Sequence, residues 1–138
     1  MKNLNLLIVI LFVGTLGSIS SCSASKHLQA DTVFTSGDVD KVPAPKGGMD
    51  ELYSKWIKEV KYPEEARNKG IQGKVYVYII INKRGKIIES GVEEGIGLEC
   101  DEAALKAFKE IKVKWEPGIK DGIKVKVKLV IPFTFKLG

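Results

Sequence analysis

The sequence predicts an α+β two-layer sandwich in which a short antiparallel sheet carries helices on one face. Three patterns support this fold class. A long segment near the carboxy terminus alternates apolar and polar residues, two runs of β-branched residues are joined by a glycine-containing link, and other segments show helical periodicity. In chain order the predicted elements are helix, helix, strand, strand, helix and strand, which suits one small domain.

The first helix is predicted from the segment MDELYSKWIKEV, which has two acidic residues in its first turn. Leu52, Trp56 and Val60 recur at intervals of four, as expected for the buried face of an amphipathic helix. Pro63 keeps the residue before it extended and is well suited to begin a second, short helix. Gly70 then suits the left-handed conformation that ends such a helix.

The first two strands are predicted to form a hairpin. The segment Lys74–Asn82 (KVYVYIIIN) is rich in β-branched and aromatic residues, and Lys86–Glu93 follows after a three-residue link that ends in Gly85. Such a link favours antiparallel pairing. One face of the first strand would carry Val75, Val77, Ile79 and Ile81, and the other Tyr76, Tyr78 and Ile80. Apolar residues on both faces predict a strand that is covered on one side and partly exposed on the other.

The last helix and the last strand complete the predicted domain. Asp101–Ile111 (DEAALKAFKEI) contains strong helix formers, and a turn at Lys120-Asp121-Gly122 precedes the strand Lys124–Lys136. On this strand Val125, Val127, Leu129, Ile131, Phe133 and Phe135 share one face, and Lys124, Lys126, Lys128, Thr134 and Lys136 share the other. Burial of six such side chains contributes roughly 9 to 18 kcal/mol before entropy is subtracted. The apolar face is therefore expected to lie against the helices.

The amino terminus is predicted to be a targeting segment. The apolar run Leu6–Leu16 (LLIVILFVGTL) follows Lys2 and is shorter than the roughly 20 apolar residues that a spanning helix requires. We therefore predict a signal peptide at residues 1–21, with an uncleaved membrane helix as the alternative. Residues 22–42 are polar and show no sustained period, which predicts a flexible tether. The folded domain would then comprise residues 43–138.

Composition and residue types exclude several classes of function. The formal charge of +5 is spread over lysines that alternate with apolar residues, so no nucleic-acid partner is expected. His27 is the only histidine, and no cluster of cysteines or carboxylates at ligand spacing accompanies it. We therefore expect no metal, no cofactor, no catalytic residues and no enzymatic activity. Cys100, beside Asp101 at a helix start, is typical of a small buried residue rather than a nucleophile.

Five stretches of sequence follow one another from about Pro45 to Leu137. They are PKGGMDEL with KWIKEVKYP, then YPEEARNKGIQGKVYVYIIINKRGKI, then LECDEAALKAF, then KWEPGIKDG, and finally VKVKLVIPFTFKL. Their order and spacing resemble the carboxy-terminal domain of TonB, the energy transducer of Gram-negative outer-membrane transport. The GGM and KYP forms resemble the version common in the Bacteroidetes phylum.

The resemblance implies a protein-binding module. A domain of this family grips the short TonB box of an outer-membrane receptor by adding it as an extra strand beside the last strand of the sheet. The matching partner-binding residues here would be Lys124, Val125, Lys126, Val127, Lys128, Leu129 and Val130, together with Tyr62 and Pro63 near the receptor contact. The residues before that Tyr-Pro pair, Glu59-Val60-Lys61, depart from the glutamine and proline of some family members.

Cys22 is the candidate residue for lipid attachment. The run Ile19-Ser20-Ser21-Cys22 resembles the lipobox of bacterial lipoproteins, in which cleavage leaves a lipid-modified cysteine as the first residue. Several acyl chains on one residue give a stable anchor, whereas one chain binds only marginally. Ser23 is not the aspartate that favours inner-membrane retention in enterobacteria. We therefore expect an outer-membrane lipoprotein that faces the periplasm, with a single-pass inner-membrane protein as the alternative.

These observations lead to three functional hypotheses. The first is a lipid-anchored TonB-like module that engages outer-membrane receptors or other envelope proteins in TonB-dependent transport. The second is an energy transducer whose uncleaved amino-terminal helix works with ExbB and ExbD. The third is a structural envelope protein that binds peptidoglycan or forms a homodimer through an exposed edge strand. The short apolar run and the short tether favour the first, because transducers of the family have a membrane helix and a long proline-rich spacer.

Overall fold

The computed structural model of the chain describes residues 32–97 and 99–138. Within these ranges Thr32–Gly138 forms one compact unit. Its elements are β1 (Val33–Thr35), β2 (Ala44–Pro45), α1 (Gly48–Glu59), α2 (Glu64–Asn68), β3 (Gly73–Ile81), β4 (Ile87–Glu94), α3 (Cys100–Glu110), β5 (Trp115–Glu116), β6 (Gly118–Lys120) and β7 (Ile123–Phe135). The predicted α+β class is confirmed, and the six predicted elements correspond to α1, α2, β3, β4, α3 and β7.

The main sheet is mixed rather than purely antiparallel. Its strand order is β1-β7-β3-β4, with β6 also paired to β7. β3 pairs antiparallel with both β4 and β7, as the hairpin and the alternation predict. β1 pairs parallel with β7. A separate two-stranded sheet joins β2 and β5.

The hydrophobic core lies between the two long helices and one face of the sheet. It includes Leu52, Trp56, Val75, Val77, Ile79, Ile81, Ala104, Phe108, Ile131, Phe133 and Phe135. The indole Nε1 of Trp56 donates a hydrogen bond to the Ala104 carbonyl oxygen at 2.9 Å, which joins α1 to α3. The face assignment of β3 is confirmed, because the residues between its buried positions are half-buried or exposed.

The hairpin between β3 and β4 is fixed by local hydrogen bonds and by one glycine. The Asn82 side-chain oxygen accepts from the main-chain nitrogens of Arg84 and Lys86. Gly85 has φ +78, and a Cβ atom there would lie 2.2 Å from the Trp115 carbonyl oxygen. A left-handed backbone this close to another strand permits only glycine.

The predicted tether differs from the structure in its described part. Residues 32–42 fall within the predicted tether, yet Val33–Thr35 forms β1 and Lys41 makes an antiparallel bridge to Ile119. The compact unit therefore begins at Thr32 rather than at residue 43. The predicted signal peptide, Cys22 and His27 lie outside the described residues. Within the described part of the chain, no helix has the length and apolar character needed to cross a membrane.

Candidate functional site

β7 is the strand for which partner binding is predicted, and its two edges have different neighbours. One edge pairs with β3 from Val127 to Phe135. On the opposite edge, Lys126–Lys128 pairs in parallel with β1. Ile123–Val125 pairs with β6. We call the side of β7 that faces away from β3, from Lys126 to Pro132, the outer edge.

Tyr53 identifies which main-chain groups of β7 face the outer edge. Its hydroxyl donates to the Pro132 carbonyl oxygen at 3.0 Å, and proline has no N–H to offer β3. The main chain at Pro132 therefore faces away from β3. Because successive residues of a strand alternate, and the register with β3 is continuous, the main-chain groups of Val130, Lys128 and Lys126 face the same way. Burial raises the pKa of the Tyr53 hydroxyl.

The side chains of the predicted segment divide between core and solvent. Val125 and Val127 are buried, which holds the strand on the body of the domain. Leu129 is half-buried, Lys124 is exposed, and Val130 has 41% of its surface exposed. The alternation prediction is therefore confirmed at the two valines and is only partly met at Leu129. A rigid backbone with exposed alternate residues suits main-chain pairing with another strand.

Lys128 contacts one acidic and one aromatic side chain on the solvent-exposed face of the sheet. The Lys128 ammonium is 2.7 Å from a Glu93 carboxylate oxygen and 4.6 Å from the centre of the Tyr78 ring. The Tyr78 hydroxyl donates to the Glu89 carboxylate at 3.0 Å, and this hydrogen bond is the main cause that raises the Tyr78 pKa. These contacts hold the Lys128 side chain against the face of the sheet. The side chain therefore does not cover the main-chain groups of Lys128 at the outer edge.

β1 is held on the outer edge by its main chain and by the turn that follows it. The register pairs Val33 with Lys126, Phe34 with Val127 and Thr35 with Lys128. The Thr35 hydroxyl donates to the Asp38 carboxylate at 2.6 Å, and the main-chain N–H of Asp38 donates back to the Thr35 carbonyl oxygen. The hydroxyl hydrogen bond is the main cause that lowers the Asp38 pKa. The turn is therefore closed while this carboxylate is charged.

The segment after this turn is bound to the hairpin of β6 and β7. The Asp40 carboxylate accepts from the Asp121 main-chain nitrogen at 2.7 Å. Lys41 and Ile119 exchange main-chain hydrogen bonds, and the Lys41 ammonium lies 3.0 Å from a Glu116 carboxylate oxygen. These contacts fix the position of the chain just beyond β1 without using the outer edge of β7.

Tyr62 and Pro63 lie at the other end of β7 from the predicted strand segment. The Tyr62 hydroxyl donates to the Ile71 carbonyl oxygen, and its ring packs edge-on against Phe135 with 5.2 Å between ring centres. Pro63 is the residue before α2 and lines a surface cavity with α3. Phe135 is eight residues beyond Val127, a separation of roughly 25 Å at about 3.3 Å per residue. The predicted site is thus divided between two places, and Tyr62 has a clear packing role.

The described residues show no arrangement suited to bond-making chemistry. Cys100 is a free cysteine that is fully buried, and burial is the main cause that raises its thiol pKa. A thiol held in its protonated form is a poor nucleophile. No group of three or more potential metal ligands occurs in the part of the chain that the structure describes. What the described site can do is offer backbone hydrogen bonds along the outer edge of β7.

Comparison with known proteins places the sequence of this chain in a family. The family model described as Gram-negative bacterial TonB protein C-terminal matches residues 58–137. The chain belongs to this family. A curated relative, Protein TonB of Vibrio cholerae, is 37% identical to this TonB C-terminal domain over 78 residues. The match covers 56% of this chain and 31% of the relative, so the chain spans about a third of the relative's length.

Two solved structures of TonB C-terminal domains are similar to this chain. One, from Helicobacter pylori, has 24% sequence identity and a TM-score of 0.48, and the match covers 65% of this chain and 80% of that one. The other, from Pseudomonas aeruginosa, has 26% identity and a TM-score of 0.40, and covers 56% of this chain and 78% of that one.

Sequence reasoning missed three features of the outer edge in this TonB C-terminal domain. They are β1, the Tyr53 hydroxyl and the position of Pro132. Two signals were present. Val33-Phe34-Thr35 is a β-branched and aromatic run followed by Ser36-Gly37, which is typical of a short strand and a turn. Proline within a strand indicates an edge or an unpaired side.

Proposed function

We propose that this chain is a lipid-anchored, TonB-like module of the cell envelope that binds an extended segment of a partner protein along the outer edge of β7. The partner is a TonB-dependent outer-membrane receptor, which contributes its TonB box as an added strand. The module takes part in TonB-dependent transport. Membership of the TonB C-terminal family supports this role.

The outer edge of β7 is the observation that carries the proposal. β3 holds the opposite edge along nine residues, and the buried residues Ile131, Phe133 and Phe135 fix β7 on the core. On the outer edge, β1 extends only to Lys128, and Tyr53 occupies the carbonyl at Pro132. Between them the main-chain groups of Val130 face outward, and no strand of the described residues pairs with them. An edge of this kind recruits extended peptides through main-chain hydrogen bonds.

Peptide titration followed by backbone NMR is the direct test of the binding role. Because Thr32–Gly138 forms one compact unit with a hydrophobic core of its own, a fragment of residues 32–138 is expected to fold by itself. Addition of a synthetic TonB-box peptide is expected to shift amide signals along Lys126–Val130, with dissociation constants in the micromolar to millimolar range. The shifts should be much smaller at β4, which is two strands away.

A matched peptide separates strand addition from loose hydrophobic contact. The control has the same side chains, but its backbone nitrogens are methylated at alternate residues and cannot donate to β7. We expect it to leave Lys126–Val130 unchanged at the same concentration. Equal shifts with both peptides, or none with the unmodified peptide at millimolar concentration, would remove strand addition at β7 as the mode of binding.

The lipid anchor is proposed at Cys22, and a serine variant of this residue tests it. In cells, Cys22→Ser is expected to abolish lipid modification and to release the protein from the membrane fraction, because binding then lacks its acyl chains. Cys100→Ser is the matched control, since Cys100 is buried in the domain. It should leave the membrane fraction unchanged. Intact mass of the extracted protein should show loss of residues 1–21 together with added lipid.

An energy transducer is the second candidate, favoured by the similarity to Protein TonB. In that role the amino-terminal segment is retained as a membrane helix and works with ExbB and ExbD. An intact mass that includes residues 1–21 without lipid, together with a membrane fraction that Cys22→Ser leaves unchanged, would contradict the lipoprotein proposal and support the transducer.

A further inference from the structure

We propose that β1 is a built-in occupant of the partner-binding edge, so that a partner strand must displace Val33–Thr35 before it can bind. The inference rests on the proposed function, because it concerns access to the same outer edge of β7. When no partner is present, β1 therefore blocks the binding site.

The register shows that β1 and a partner strand compete for the same main-chain groups. β1 lies opposite Lys126–Lys128, with Phe34 centred on Val127. Since the main chain of Val127 faces β3, the groups that Phe34 can engage are the outward ones of Lys126 and Lys128. A second strand cannot use these donors and acceptors while β1 holds them.

The remainder of the outer edge is interrupted at Pro132. Beyond β1 the outward main-chain groups of Val130 come next, then the Pro132 carbonyl, which Tyr53 already binds, and then Thr134 near the end of the strand. Proline also contributes no donor there. Among the described residues, a partner that does not displace β1 therefore meets outward groups separated by Pro132, whereas release of β1 exposes the continuous row Lys126, Lys128 and Val130.

The hold of β1 on this edge is weak enough to be reversible. β1 has three residues, whereas β3 pairs along nine. Its first and last residues, Val33 and Thr35, are exposed, with 41% of the Val33 surface accessible. No residue of β1 belongs to the core cluster. Phe34 is half-buried, with the Lys120 ammonium 4.6 Å from its ring centre. Loss of β1 therefore leaves the body of the domain intact.

Once released, β1 remains close to the edge. The contacts of Asp40 and Lys41 with the β6–β7 hairpin lie outside the row that β1 vacates. Only residues 36–39 separate β1 from these contacts. Released β1 therefore keeps a high effective concentration at β7 and competes with any partner in solution. The apparent affinity of a partner is then reduced by the fraction of molecules in which the edge is free.

Three variants of the 32–138 fragment, compared with the unmodified fragment, test this inference. In the open form, Phe34→Pro removes the N–H that faces β7. In the locked form, Val33→Cys with Lys126→Cys places two thiols at register partners, where a disulfide can join the strands. Phe34→Ile keeps the N–H and an apolar β-branched side chain, and is the matched control. Circular dichroism and thermal melting should confirm that all forms are folded.

Two probes are titrated against each form, namely a synthetic peptide of residues 32–38 of this chain and a TonB-box peptide. We expect the open form to bind both about tenfold more tightly than the unmodified fragment or Phe34→Ile. The oxidised locked form should bind neither, and reduction of its disulfide should restore binding. In the unmodified fragment, the amide signals of Val33 and Thr35 should move towards their positions in the open form as the peptide is added.

The outcomes separate failure of this inference from failure of the proposed function. Equal affinity of the TonB-box peptide for open, unmodified and locked forms would overturn the role of β1 and leave receptor binding in place. Binding of the 32–38 peptide to the open form alone, with no binding of the TonB-box peptide to any form, would support the role of β1 and remove the proposed partner. No binding of either peptide to any form would overturn both.

Discussion

Replacement of Val127 by aspartate is expected to destabilise the domain strongly. Val127 is fully buried, and its side chain packs where a Cβ on Gly118 would come within 2.4 Å of it. A carboxylate there would lose its hydration without gaining a partner, at a cost of about 3 to 5 kcal/mol. Small domains have a total stability of about 5 to 15 kcal/mol. Urea denaturation of residues 32–138, monitored by circular dichroism, would measure the loss.

The neighbouring residue supplies the control for this prediction. Lys126 is partly exposed on the other face of β7, so Lys126→Glu should change the free energy of unfolding by no more than about 0.5 kcal/mol. The charge change is larger in Lys126→Glu than in Val127→Asp, so net charge alone cannot explain a difference between them. Equal melting temperatures for the two variants would show that the assigned faces of β7 are wrong.

The long elements could be predicted because their side-chain periodicity is sustained. β3 and β7 alternate over many residues, and α1 and α3 repeat their apolar residues at helical spacing, so burial selects one face of each. The structure confirms this for Val125, Val127, Ile131, Phe133 and Phe135. Leu129 is the exception. β1 ends opposite Lys128, so no residue of β1 lies beside Leu129 on the outer edge of β7.

The short strands could not be predicted from periodicity. β1, β2, β5 and β6 have two or three residues each, fewer than the four or more that an alternation pattern requires. Their existence depends on contacts far along the chain, such as the pairing of Val33 with Lys126. This is why a segment that is polar overall, and that predicts a tether, contains a strand of the main sheet.

The candidate site was predictable as a strand but not as an edge with an occupant. Resemblance to a family places partner binding on residues 124–130, and the geometry of β7 makes an added strand feasible beside part of that segment. The orientation of main-chain groups comes only from the Tyr53–Pro132 hydrogen bond. The family resemblance also assigned Tyr62 to this site, whereas packing places its ring against Phe135.

Replacement of Trp56 by alanine is expected to cost about 3 to 5 kcal/mol of stability, a value typical for large aromatic residues in a core. Trp56 is fully buried, and its ring centre lies 4.9 Å from that of Phe108 and 4.6 Å from that of Phe133. Alanine would leave a cavity between the helices and β7 and would remove the hydrogen bond that joins α1 to the Ala104 carbonyl of α3. Thermal and urea unfolding of residues 32–138 would measure the change.

Ile57→Ala is the matched control, since Ile57 follows Trp56 on the same helix and has 63% of its surface exposed. Its loss should cost no more than about 0.5 kcal/mol. The Trp56 variant should also affect the outer edge, because the Tyr53 ring stacks on Trp56 with 6.1 Å between centres. Without that support the Tyr53 hydroxyl is less firmly placed at the Pro132 carbonyl oxygen. Similar stability of the two variants would contradict the assignment of Trp56 as the residue that joins α1, α3 and β7.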